Sequence, residues 1–179
     1  MRPRGSRQRA AAAIAAGVIL ASCLSTADNT PPLQYDMKDG QGQQHLRSGA
    51  SGVVLLALWG DRGGSEFMEK WSPALNDSLA GLAGVRRLDF AHVKGAPFFI
   101  KGKIRKRFRE NWPGTVLLDW EGEFRRAYAC AQDSCTAILF DREGRPQRRW
   151  TVGELDPDLL AEMTEAARQA ASVATSAAE

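Results

Sequence analysis

Between residues 53 and 170 the apolar positions alternate between unbroken runs and spacings of three and four. Val53 to Trp59 is an unbroken run of Val, Leu, Ala and Trp between glycines, the pattern of a short strand buried on both faces. From Ser65 to Leu82 the pattern changes: Phe67, Met68, Trp71, Leu75, Leu79 and Leu82 fall at helical spacing, and Ser65 is placed to cap the start. Val85 to Val93 returns to strand character and Phe99 to Asn111 to helix. Trp112-Pro113-Gly114 ends that helix before a strand from Thr115 to Asp119. Phe124 to Cys130 fits one or two helical turns. Cys135 to Asp141 and Gln147 to Val152 flank Arg142-Glu143-Gly144-Arg145 as an antiparallel hairpin, and Asp156 to Ala170 closes the chain as a helix with Pro157 in its first turn. The order β-α-β-α-β-α-β-β-α predicts an α/β fold, a central mixed sheet with helices on both faces, because parallel neighbours need crossover helices and only the last pair is joined by a tight turn.

The N-terminus follows a different rule. Arg2, Arg4, Arg7 and Arg9 precede an apolar stretch from Ala10 to Ala21, which is shorter than the ~20 residues of a spanning helix and has the layout of an export signal. The stretch Leu20-Ala21-Ser22-Cys23 resembles the lipobox of bacterial lipoproteins, which implies that Cys23 becomes the first mature residue and carries the lipid. Residues 1–22 are therefore expected to be signal peptide, 23–52 a lipid-anchored tether and lead-in hairpin, 53–170 the folded domain and 171–179 a flexible tail. Asp28 lies five residues beyond Cys23 and not beside it, which favours the outer membrane over the inner.

This reading changes the meaning of the charge. The 179-residue chain has a formal charge of +3, but 24 Lys+Arg less the four arginines of the signal leave 20 against 21 Asp+Glu. The whole-protein argument for nucleic-acid binding disappears with them. With 44% hydrophobic and 25% charged residues, the remainder can bury a core, so a disordered chain is excluded. Positive charge survives locally. Lys101, Lys103, Arg105, Lys106, Arg107 and Arg109 place six cations in nine residues of one predicted helix, with Ile100, Ile104 and Phe108 repeating on the opposite face. Such a helix is either a solvated face or one that lies on anionic headgroups.

Leu33 to Leu46 with Asp39-Gly40, Val53 to Trp59, Val116-Leu117-Leu118-Asp119, Ala127-Tyr128 and Ile138-Leu139-Phe140-Asp141-Arg142-Glu143-Gly144 together resemble the thioredoxin-like fold, in particular peroxiredoxin-related and bacterial envelope redoxins. The match runs from Pro32 to Arg168. The Phe98–Asn111 and Ser134–Gly153 stretches are closest in pattern to the YtfJ-type periplasmic proteins, which lack the dithiol. Where a redoxin has Trp-Cys-x-x-Cys, this chain has Trp59-Gly60-Asp61-Arg62-Gly63, so the resemblance puts glycine in both thiol slots. It also puts Cys135, within Ser134-Cys135-Thr136, in the slot of the family's cis-proline. A trans bond is expected there, since a non-proline cis bond costs ~3 kcal/mol.

Two cysteines remain after Cys23. Cys130 and Cys135 lie five apart, and in an exported chain they are expected to form a structural disulfide. The competing readings are a redox pair, with Cys135 against the Gly60–Ser65 turn and Cys130 as resolving thiol, or two free thiols. The turn Gly60, Asp61, Arg62, Gly63, Gly64 is either a flexible connection or an anion nest whose amides point at one place. His45 falls in the lead-in and His92 in a strand, so no Ser-His-Asp array, metal site or cofactor is expected. The expected function is a redox-dead thioredoxin-like binding or scaffold lipoprotein of the envelope, its contacts being the membrane through Cys23 and an envelope protein, with no nucleic acid. The alternative is a thiol-disulfide oxidoreductase or peroxidase-like protein using Cys130 and Cys135.

Overall fold

The computed structural model describes residues 30–172, so the signal stretch, Cys23 and residues 173–179 lie outside the described residues. The chain opens with an antiparallel hairpin, β1 (Gln34–Lys38) and β2 (Gln44–Ser48), at the predicted place. Then follow β3 (Val54–Gly60), α1 (Ser65–Leu79), β4 (Val85–His92), a 3₁₀ turn (Phe98–Ile100) continuing into α2 (Lys101–Asn111), β5 (Val116–Asp119), α3 (Glu123–Tyr128), β6 (Cys135–Phe140), β7 (Pro146–Val152) and α4 (Pro157–Ser172). The five-stranded sheet has the order β5-β4-β3-β6-β7. β3, β4 and β5 are parallel, and β6 and β7 run antiparallel to their neighbours.

All seven residues of β3 are buried because this strand lies at the centre of the sheet, covered on both sides. Its side chains alternate between two cores. Val54, Leu56 and Leu58 face α1 and α4, packing with Met68, Trp71, Leu75, Met163 and Ala167. Leu55, Ala57 and Trp59 face the other way, toward α3 and the hairpin, with Phe90, Phe124, Tyr128 and Leu33. α2 covers the β4–β5 end of the sheet through Phe108 and Trp112, which pack with Ala91, Val116 and Leu118. Of the five tryptophans, Trp59 and Trp71 are fully buried, and Trp112, Trp120 and Trp150 are half-buried at the rim of the core.

Two boundaries depart from the sequence expectation. Ser65 does not cap α1. It is the first helical residue, and its hydroxyl donates to the Arg62 carbonyl (2.9 Å), while Gly64 occupies the cap position. The helix also ends at Leu79 and not Leu82, because the chain turns at Gly81 with φ +80° and the Leu82 amide donates back to Leu79.

One polar cluster lies within the apolar layers. The Asp89 carboxylate on β4 is wholly buried and accepts hydrogen bonds from Ser72 Oγ of α1 (2.6 Å), Arg87 Nη1 (2.6 Å) and Trp112 Nε1 (2.7 Å) at the end of α2. Three elements are thereby tied to one carboxylate. Burial pushes the Asp89 carboxyl above its ordinary value, and the Arg87 charge and the Ser72, Trp112 and Arg87 donors pull it back only in part.

Candidate functional site

The β3–α1 turn lies at the C-terminal ends of the parallel strands, where open α/β sheets carry their sites. Gly60 is the last residue of β3, paired with Ala91 and Cys135, so it belongs to the strand and not to the turn. The turn proper is Asp61 to Gly64, and it is pressed against the loop before β6. A Cβ on Gly63 would stand 2.6 Å from Asp133 Cα, and one on Gly64 would stand 2.0 Å from the Ser134 carbonyl oxygen. The glycines are therefore places where two backbones meet. That is a steric requirement which the sequence does not distinguish from the loss of a thiol.

Asp61 joins the two loops. Its Oδ1 accepts from the Gly64 amide (3.0 Å) and its Oδ2 from the Asp133 amide (2.7 Å), with Asp133 held at φ +49°. A carboxylate of the chain thus takes the Gly64 amide, one of the donors that an anion nest would use. Arg62 is exposed and borders the cavity beside the turn. Asp61 is the residue that sequence reasoning undervalued. Its signal was weak, a single acidic residue three before a glycine N-cap, because the Asp133 partner lies 72 positions away.

Beside the turn, a cavity of about 550 Å³ opens between the ends of β3 and β4, the start of α1 and the inner face of α2. Met68, Ile100, Ile104, Phe108 and Trp112 supply its apolar wall, and Asp61, Glu69, His92, Lys94 and Arg107 stand at its charged rim. Neither cysteine lines it. Cys130 borders a separate cleft of about 350 Å³ with His92, Lys94, Gly122 and Arg125.

The expected disulfide is not present: Cys130 and Cys135 are both free and buried. The reason lies in the sheet. Cys135 begins β6 and points into the core under α1 and α4, with Leu58, Met68 and Val152. Cys130 follows the left-handed exit of α3 at Ala129 (φ +46°) and enters the core on the opposite face, with Trp59, Phe124 and Ile138. Five residues of separation do not bring two thiols together when the sheet lies between them. Burial pushes the Cys130 thiol up to about 12, with Arg149 and Arg125 opposing. Burial raises Cys135 further, helped by the charges of Asp89 and Asp61. The Ser134–Cys135 peptide bond is trans, as expected.

The histidines form no triad. His45 Nε2 lies 2.8 Å from Asp39 Oδ2 in the hairpin, where burial is outweighed by the His45 hydrogen bond and the Gln43 and Gln41 amides, so the Asp39 carboxyl is held low. His92 Nδ1 lies 3.7 Å from Asp119 Oδ2, too far for a hydrogen bond. Among the described residues no group of three or more His, Cys, Asp or Glu is placed to hold a metal. No helix among them is long and apolar enough to cross a membrane.

This arrangement defines a thioredoxin-like fold, and solved structures agree. The exposed lipoprotein thioredoxin of Streptococcus pneumoniae superposes with a TM-score of 0.59 at 12% identity, over 75% of this chain and 99% of that one. A protein described as a putative thiol:disulfide interchange protein DsbE from Chlorobium tepidum gives 0.59 at 20%, over 76% and 94%. The peroxiredoxin-like protein of Aquifex aeolicus gives 0.54 at 17%, over 76% and 84%. No protein-family model matches the chain, and no curated protein matches it in sequence.

Proposed function

We propose that this chain is a thioredoxin-like lipoprotein of the bacterial envelope that binds a partner and does not exchange disulfides. The observation that carries the reading is the turn before α1, which has glycine in both thiol slots, Gly60 and Gly63, and no room for a side chain at Gly63, where a Cβ would stand 2.6 Å from Asp133 Cα. A nucleophilic thiol also has to ionise. A group held near 12 is thiolate in roughly one part in 10⁴ or fewer at neutral pH. The cavity beside the turn, with an apolar wall and charges of both signs at its rim, supplies a surface for a bound segment.

The test is a thiol titration of the purified protein. Neither Cys130 nor Cys135 reacts with a thiol reagent in the native state and both react in denaturant, while the protein has no insulin-reducing activity. The second reading, a thiol-disulfide oxidoreductase using Cys130 and Cys135, is favoured by the descriptions of the structural neighbours as an exposed thioredoxin and a putative thiol:disulfide interchange protein. A reversible Cys130–Cys135 bond with a potential between about −270 and −120 mV, together with Cys135-dependent turnover, selects it.

Envelope attachment rests on the Leu20 to Cys23 motif. Exported behind a lipid-independent cleavable signal in place of residues 1–22, the Cys23→Ala variant is expected to appear in the soluble fraction while the parent stays with the membrane, because triacylation is a stable anchor and no helix among the described residues is long and apolar enough to cross a membrane. Retention of the variant on washed membranes rejects the lipid anchor.

A further inference from the structure

We infer that Phe98, Phe99 and the outer face of α2 form a docking surface for an anionic lipid bilayer. Phe98 is 84% exposed and Phe99 71%, and their rings lie edge to face at 5.9 Å. They occupy the 3₁₀ turn after Pro97, whereas the next residue, Ile100, turns inward to the cavity. The fold makes no use of the pair. Two adjacent phenyl rings held out in water form an apolar projection, which is a feature of interaction surfaces.

The helix that follows sorts its cations. Lys101 and Arg105 lie over the Trp120 ring at 4.9 and 5.6 Å, Arg107 pairs with Glu69, and Arg109 stands 3.6 Å from Glu110. Lys103 and Lys106 are exposed and have no ion-pair partner among the described residues. Phe99, Lys103 and Lys106 fall at i, i+4 and i+7, which puts Phe99 and the two free ammonium groups on one side, with Phe98 exposed next to them. Ile100, Ile104 and Phe108, the apolar side that the spacing predicts, face the cavity, so the apolar surface turned outward is the aromatic pair.

The shape and charge of the surface select the occupant. A protein partner holds a projecting aromatic side chain in a preformed pocket, whereas a bilayer opens around it at the headgroup boundary, where aromatic rings reside, while the lysines take the phosphates. Because the two rings, Lys103 and Lys106 do not line the cavity and lie apart from both thiols, this inference stands whether the proposed function is right or wrong.

The test uses the full chain with vesicles of mixed phosphatidylglycerol and phosphatidylcholine, and with phosphatidylcholine alone. The apolar stretch near the N-terminus can itself partition into lipid, so the readout is local: hydrogen exchange at the backbone amides of residues 94–106. Exchange slows there on the anionic vesicles and not on the zwitterionic ones. Phe98→Ser with Phe99→Ser abolishes the slowing, and being exposed, neither change disturbs the fold. Lys103→Gln with Lys106→Gln weakens apparent affinity by about 25-fold, at roughly fivefold per lysine near the surface, whereas Arg168→Gln, on α4, changes it by less than about twofold. Unchanged exchange on anionic vesicles, equal slowing on both kinds, or slowing that survives the loss of both phenylalanines overturns the inference.

Discussion

Gly64→Ala is expected to destabilise the domain by about 3 kcal/mol or more, although it adds a single methyl group. That methyl would lie 2.0 Å from the Ser134 oxygen, 2.3 Å from its carbonyl carbon and 2.8 Å from the Cys135 nitrogen. All three are backbone atoms at the start of a strand paired on both sides, so no side chain can rotate away. Overpacking of this kind costs ~1–3 kcal/mol where the surroundings can adjust, and more where they cannot. Conformational strain is not the cause, since Gly64 sits at φ −85°, a value open to any residue. Gly102→Ala is the matched control. Nothing lies within 4 Å of its Cβ position inside α2, and it should gain about 0.5–1 kcal/mol from helix propensity alone. Urea unfolding of the two variants measures both. If Gly64→Ala unfolds within about 0.5 kcal/mol of the parent, the turn and the loop are not packed as described.

Asp89→Ala should be comparably severe, at about 3–5 kcal/mol, because it strands a partner that cannot reach water. The Arg87 side chain is only 7% exposed, and Nη1 loses its carboxylate. Ser72 and Trp112 lose their acceptor in the same step. Replacing both charges with apolar residues of similar volume, Asp89→Leu with Arg87→Met, should recover much of the loss, since that removes the desolvated pair together. The pH dependence has a definite sign. Burial, ahead of the opposing Arg87 charge, raises the folded carboxyl above its ordinary value of 3.8, so between 3.8 and the raised value the folded state holds a proton that the unfolded chain has released. Stability from this group is then fully present below 3.8 and declines as pH rises through that window. Asp89→Ala should lack the decline. Denaturant midpoints of parent and variant across the acid range would reveal it, and parallel curves would show that Asp89 does not titrate in that window.

Most of the element order was legible because it depends on local pattern. Seven apolar residues without a break can serve only in the middle of a sheet, which is where β3 lies. The spacing of Met68, Trp71, Leu75 and Leu79 fits one buried helical face, and these are among the buried residues of α1. The glycine turn between β6 and β7 fits a hairpin. The candidate site was less legible, because its geometry joins residues far apart in the chain. Asp61 reads as a turn residue until Asp133 is brought to it. The six cations of α2 read as one basic stripe until Trp120 and Glu69 take three of them.

By itself, then, the amino-acid order determined the alternation of strands and helices, the central place of β3 and the absence of a thiol before α1, since each depends on residue type and spacing within one segment. Tertiary structure alone decided the fate of Cys130 and Cys135. Proximity in sequence favours a bridge, but the left-handed turn at Ala129 and the alternation of side chains along β6 send the two sulfurs to opposite faces of the sheet. It likewise decided that Gly64 is required by a neighbouring carbonyl, and that Phe98 and Phe99 project while Ile100 does not. The physical reason is the same in each case: periodicity determines which face of an element is apolar, and only packing determines what meets that face.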